Sequence, residues 1–146
     1  MSRVQADPPC ENIIKFYGYG VSPQRITLVM EFPQPCLPLS KFLRQNTGHL
    51  TEELARNILH QIIISLQHCN RCSVHHSNTH LSNMLINTET LQQKLTDFSR
   101  AADINAMETD GPGVSLAAAI RSARRALHRA PNSFRTAIGR SSRVEK

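Results

Sequence analysis

His76-Ser-Asn-Thr-His-Leu-Ser-Asn83 is a polar stretch that opens on an imidazole and closes on an amide. It is followed by Met84-Leu-Ile-Asn-Thr-Glu-Thr-Leu91, then by Gln92-Gln-Lys-Leu-Thr-Asp97, and then by Phe98-Ser99. The first segment reads as a loop, and the next two read as short strands joined by a tight turn. Immediately upstream lies the clearest element of the chain. Thr51 is a good N-cap, and Glu52 and Glu53 place negative charge on the positive end of a helix dipole. Leu54, Ile58, Leu59, Ile62, Ile63 and Leu66 recur at helical spacing. The spacing predicts a helix over about 52–69.

Toward the N-terminus, Asn12-Ile-Ile-Lys-Phe-Tyr-Gly-Tyr19 and Arg25-Ile-Thr-Leu-Val-Met-Glu31 are rich in β-branched and aromatic residues. They flank Ser22-Pro23-Gln24, which predicts a hairpin. Pro33, Pro35 and Pro38 lack an N–H and fix their own φ, so no regular structure is expected across them. Leu39 to Asn46 has the makings of a short helix ending near Gly48.

The 146 residues, 40% hydrophobic and 5% aromatic, bound one compact domain, so a complete two-lobed enzyme is not expected. No apolar run approaches the ~20 residues that span a bilayer, and the N-terminus lacks a secretory-type apolar run. The expectation is a soluble protein of the cytoplasm or nucleus. The net charge of +6 is unevenly spread. Residues 1–104 hold nine Lys/Arg against eight Asp/Glu, and residues 105–146 hold eight against three. Composition shifts at the same place, to Gly111-Pro112-Gly113, an Ala/Arg-rich stretch and a Ser/Arg-rich end, so a domain boundary is drawn near Asn105. Within the tail, Ser115 could cap a basic amphipathic helix over about 116–129, suited to weak binding of acidic surfaces.

Cys69, Cys72, His75, His76 and His80 bring zinc-type ligands close together. Their spacing lacks the distant second ligand pair of a structural zinc site, and Cys69 falls in the last turn of the helix. Cysteines that pack as small apolar groups beside a histidine-bearing loop are the better reading.

A long apolar helix, a loop running from His to Asn, two short strands and an Asp-Phe pair follow the order of the catalytic segment of protein kinases. In that segment the loop reads H-R-D-x-x-x-x-N and the metal-binding Asp begins D-F-G. From about Asn12 to Asp103 the chain resembles the Pim-type serine/threonine kinases. The most specific parts are Glu31-Phe-Pro-Gln-Pro35, similar to their two-proline hinge, Leu50-Thr-Glu-Glu-Leu-Ala-Arg56 and His68-Cys-Asn-Arg-Cys72. The resemblance implies an α+β fold, a partial kinase-like domain over 1–104. It implies ATP and Mg²⁺ as cofactors and a protein substrate or partner. Met30, Glu31, Phe32 and Leu85 are then the nucleotide-binding residues, and Asn83 and Asp97 the metal ligands. Pro33 would remove the N–H that normally meets the adenine ring, leaving the Glu31 carbonyl as the hinge contact.

The departures bear on activity. Asn78 stands in place of the catalytic Asp, and an amide cannot accept a hydroxyl proton as a base. His80 replaces the catalytic-loop Lys, Ser77 the loop Arg, Ser99 the Gly after Asp-Phe, and Pro38 an acidic ribose contact. No Gly-rich phosphate loop precedes Asn12, and no large C-terminal-lobe helices follow. Asn83 and Asp97 also admit a plainer reading, in which Asp97 caps a turn and Asn83 bonds the loop backbone. The expected protein is a truncated, catalytically defective kinase-like chain. The alternative is a noncatalytic interaction module using the 52–69 helix and the basic tail. With the rest of the lobe absent, that helix is expected to leave apolar surface open and to drive self-association.

Overall fold

The computed structural model describes residues 1–5, 8–46 and 50–107. The proposed tail helix, Gly111-Pro112-Gly113 and the Gly48 terminus lie outside the described residues. The order is strand β1 (Phe16–Ser22), β2 (Arg25–Met30), β3 (Cys36–Pro38), helix α1 (Leu39–Gln45), α2 (Glu52–Arg71), β4 (Val74–His75), β5 (Met84–Asn87), β6 (Gln93–Leu95) and β7 (Ala102–Asp103). Short 3-10 turns occupy Ser2–Gln5, Leu81–Asn83, Phe98–Arg100 and Asn105–Met107. The architecture is α+β, with two helices and three small antiparallel sheets, a partial kinase fold.

α2 forms as its sequence dictates. The Thr51 hydroxyl accepts from the Leu54 N–H at 3.2 Å, and Glu52 pairs with Arg56 one turn on at 2.6 Å. Its buried stripe of Ala55, Ile58, Ile62, Leu66 and Cys69 packs with Leu39, Phe42 and Leu43 of α1 and with Met84, Ile86 and Leu95 of the β3-β5-β6 sheet. The expected open apolar face on this helix is therefore largely covered, because α1 and the small sheet close over it.

Two expectations for the N-terminal half change. The strand before the turn begins at Phe16, not Asn12. Ile13 and Ile14, 0% and 2% exposed, turn into the core instead, and Ile13 bridges Leu95 in parallel. The Leu95 N–H donates to the Asn12 carbonyl at 2.7 Å, and the Ile14 N–H to the Leu95 carbonyl at 2.9 Å. The proline-rich segment does carry a strand, since Cys36, Leu37 and Pro38 pair with Asn87, Ile86 and Leu85. Only Pro38 of that strand lacks an N–H, and it occupies the strand's last position, where one missing donor costs least.

Candidate functional site

The site is built where α2, β5 and β6 deliver their connecting segments to one place. β4, directly after α2, pairs with β7, so the loop beginning at His76 is clamped at its entry by the chain that follows Asp97. The turn Leu81–Asn83 then feeds β5, and β6 runs back antiparallel with Met84 opposite Leu95. Asp97 thus returns beside Asn78 and Asn83.

His76 is the buried centre of this arrangement, 1% exposed. Its Nε2 lies 2.9 Å from the Thr96 carbonyl, which only accepts, so Nε2 carries the proton. Nδ1 is then free to accept the Asn78 N–H at 3.3 Å. The ring meets Phe98 edge-on, with centroids 4.6 Å apart at 68°. Burial, the largest influence, pushes the imidazole below its ordinary value, so the ring stands neutral and this tautomer is fixed.

Around it, Asn78, Asn83 and Asp97 share one hydrogen-bond network. Asn78 Nδ2 donates to Asp97 Oδ2 at 3.1 Å, and Asn83 Nδ2 donates to the Asn78 carbonyl at 3.1 Å. The Asn83 N–H donates to the His80 carbonyl, and the Thr96 N–H to the Asn83 carbonyl, both at 2.9 Å. Asp97 Oδ1 accepts the Ser99 hydroxyl at 2.6 Å and the Ser99 N–H at 3.4 Å. These bonds, the Ser99 hydroxyl foremost, hold the Asp97 carboxyl below the usual carboxylate range. Asp97 sits at φ 61°, ψ 69°, a left-handed conformation that an Asp tolerates because its short side chain bonds locally. The turn-capping and loop-bonding roles weighed for Asp97 and Asn83 are both present. His80 joins the network through its backbone, and its side chain is exposed.

Met30, Glu31 and Phe32 form a second group, joined to the first through the β5–β6 hairpin. Phe32 is 84% and Met30 39% exposed. The Glu31 side chain turns inward, its Oε1 accepting Lys94 Nζ at 2.9 Å and the Lys15 N–H at 2.7 Å. Lys94 also donates to the Glu11 carbonyl at 3.0 Å. The Gln34–Pro35 peptide is cis, and the Pro35 carbonyl accepts from the Thr88 N–H at 3.0 Å. Leu85, half-buried, faces Pro38 on one side and Lys94 on the other by register. The Glu31–Lys94 pair has no signal in the sequence, since its partners meet only in the folded chain.

The cysteine and histidine cluster disperses. Cys69 is 2% exposed, and burial, reinforced by Cys72 and Cys10, pushes its thiol up to about 12, the behaviour of a packed apolar group. Among the described residues no three His, Cys, Asp or Glu side chains converge as metal ligands. No helix among them is long and apolar enough to cross a membrane.

Comparison with known proteins gives a consistent answer. The protein kinase domain family matches residues 2–119. The chain is 33% identical to the serine/threonine-protein kinase pim-2 of Danio rerio over 111 residues, 75% of this chain and 36% of that protein. It is 29% identical to the serine/threonine-protein kinase prk-2 of Caenorhabditis elegans over 89 residues, 61% of this chain and 20% of that one. With the mitosis inducer protein kinase cdr1 of Schizosaccharomyces pombe the identity is 32% over 90 residues, 62% and 15% of the two chains. The chain therefore spans no more than 36% of the length of these relatives.

Proposed function

The chain belongs to the protein kinase family, and from that membership we propose that it is a Pim-like serine/threonine kinase relative, catalytically defective in its own right. The observation that carries the reading is the bond between Asn78 and Asp97. A general base must offer a lone pair to the substrate hydroxyl. The Asn78 side chain does the reverse, directing an amide hydrogen onto the neighbouring carboxylate. In this reading residues 1–104 hold the kinase-like elements, the family match runs on to residue 119, and 105–146 is the basic segment that follows.

The residues present fit the family's cofactors in donor type. Asp97 offers a carboxylate, and Asn83 an amide oxygen not used by the bonds its nitrogen makes, both hard donors of the kind that hold Mg²⁺ beside nucleotide phosphates. When bound, Mg²⁺ supplies neutralisation of phosphate charge. Glu31, its carboxylate drawn inward by Lys94, keeps the backbone beyond Met30 in place, where its carbonyl would meet an adenine amino group. Met30, Phe32 and Leu85 supply apolar surface for the ring. His76, neutral and bonded on both nitrogens, positions the Asn78 backbone and the strand end at Thr96. The similarity of Glu31-Phe-Pro-Gln-Pro35 to a two-proline hinge supports the Pim-like assignment.

Two measurements on the purified chain test this. Nucleotide titration with and without Mg²⁺ is expected to show weak binding, and incubation with Mg·ATP and a basic Ser/Thr peptide is expected to give no phosphate incorporation. Loss of a single positioned electrostatic group already costs about 10²–10³ in rate, and here the base and the loop lysine are replaced together. Mg·ATP-dependent incorporation abolished by Asp97→Ala would overturn the proposal.

A further inference from the structure

Both oxygens of the Asp97 carboxylate already hold hydrogens from this chain. Oδ2 accepts Asn78 Nδ2 at 3.1 Å, while Oδ1 accepts the Ser99 hydroxyl at 2.6 Å and the Ser99 N–H at 3.4 Å. The two donors are held differently. Asn78 is fixed by its backbone, whose N–H reaches His76 Nδ1 and whose carbonyl accepts Asn83 Nδ2. Ser99 lies exposed in the turn Phe98–Arg100, and its hydroxyl has no other partner among the described residues. The Ser99 bond is also the shorter of the two, within the range of charge-assisted O–H···O⁻ bonds, which are about twice as strong as neutral ones.

Among the described residues, Asp97 is the only carboxylate in this network, because Asn78 and Asn83 are amides and Asn78 turns a hydrogen, not a lone pair, onto its neighbour. Any charge attraction of the site for a divalent cation therefore rests on a single acid. Starting from the reading of Asp97 and Asn83 as donors for Mg²⁺, we infer that Ser99 competes with the cation for Asp97, its hydroxyl hydrogen occupying Oδ1 and holding divalent-ion affinity below what the same oxygen donors would otherwise give. Ser99 acts through Asp97, so it is a positioning residue and not a ligand. Ser99→Ala keeps the 3.4 Å backbone bond and removes the 2.6 Å side-chain bond, whereas Ser99→Thr keeps a hydroxyl in place. The share of the hydroxyl is thereby separable from that of the turn. Because the Ser99 side chain faces solvent, neither change disturbs the packed core.

Titration of the full chain with Mn²⁺ tests this without nucleotide or activity, since Mn²⁺ takes the same carboxylate and carbonyl oxygens as Mg²⁺ and its free ion is read directly by electron paramagnetic resonance. A range from about 0.1 to about 10 mM brackets a Kd of about 1 mM. Ser99→Ala is expected to tighten Mn²⁺ about three- to tenfold, the scale of one hydrogen bond. Ser99→Thr is expected to match the parent, and both variants to keep the parent's circular dichroism. Asp97→Ala, made in the parent and in the Ser99→Ala chain, separates the inference from the reading beneath it. Binding that survives Asp97→Ala in both chains removes Asp97 as a ligand, and the inference falls with that reading. Binding that requires Asp97 yet is unmoved by Ser99→Ala, or is tightened equally by Ser99→Thr, overturns the inference alone. So does weaker binding by Ser99→Ala, which would make the hydroxyl a ligand. No detectable binding by Ser99→Ala across the range overturns both.

Discussion

Restoring a carboxylate at position 78 tests the internal logic of the site. In the parent, Asn78 Nδ2 sits 3.1 Å from Asp97 Oδ2. Asn78→Asp replaces that donor with an anion, removing a charge-assisted bond with a net value of about 1.5–3 kcal/mol. It also sets two carboxylates about 4 Å apart, a repulsion of ~1 kcal/mol in bulk water and ~4 kcal/mol at an effective dielectric constant of 20. Asp97 lies near solvent, so the lower part of that range applies, and the full substitution is expected to cost about 2–3 kcal/mol at neutral pH. The pH dependence follows from the direction of the shifts. In the parent, the lowered Asp97 value contributes stability above the usual carboxylate range, lost as pH falls through the folded value. In the variant the two acids raise each other, so the penalty is present at neutral pH and relieved as one takes up a proton. Urea unfolding followed by circular dichroism at pH 7 and pH 3, for parent and variant, provides the comparison. Equal stability at pH 7, or a gap that persists undiminished at pH 3, would refute this account of what holds Asp97.

Three other outcomes are expected. Gln93 is 0% exposed, and neither polar atom of its side chain has a hydrogen-bond partner among the described residues, so Gln93→Met should stabilise by about 1–2 kcal/mol in denaturant titrations; a loss of stability would contradict it. Lys94→Met strands the Glu31 carboxylate, whose side chain is only 15% exposed, and should cost about 3 kcal/mol, with Glu31→Leu in the same chain restoring much of the loss; a double variant no better than the single one counts against the pair. Burial lowers His75 and His76 from 6.5, so the unfolded chain takes up protons that the folded chain refuses, and stability should fall between about pH 7.5 and about pH 5.5. An unfolding midpoint that rises over that interval would reverse the assignment of His76 as a buried neutral ring.

The parts of the fold that could be read from the residues are those with local causes. α2 carries its own cap, first-turn acids and apolar period, and Thr51 and Glu52 stand where that reading put them. The hairpin around Pro23 and the β5–β6 pair were legible from strand-type residues flanking a turn. β3 was not, because its three residues become a strand only when β5 supplies the partner. Ile13 and Ile14 look like hairpin residues, yet their destination is a core assembled from segments some 80 positions away. At the site, loop order and spacing named Asn78, Asn83 and Asp97, but not that they would bond one another. Ser99 looked like a lost glycine; its hydroxyl instead caps Asp97. Nor could sequence alone join Lys94 to Glu31, since that pair exists only once the chain after β2 lies along β6.

The junction of Asn12–Ile14 with Leu95, together with the Arg3–Asp103 ion pair, gives the chain a particular order of assembly during synthesis. Val4, Ile13 and Ile14 are buried in the finished fold. Their partners emerge roughly 80 residues later, which at about 5–20 residues per second is a wait of some 4–16 s. The helical turns of α1 and α2 can form meanwhile, their backbone bonds being local, whereas the junction with Leu95 cannot close until the ends of the described chain meet. The nascent chain therefore carries Ile13 and Ile14 without their core partners until Leu95 has been made, a natural occasion for chaperone contact.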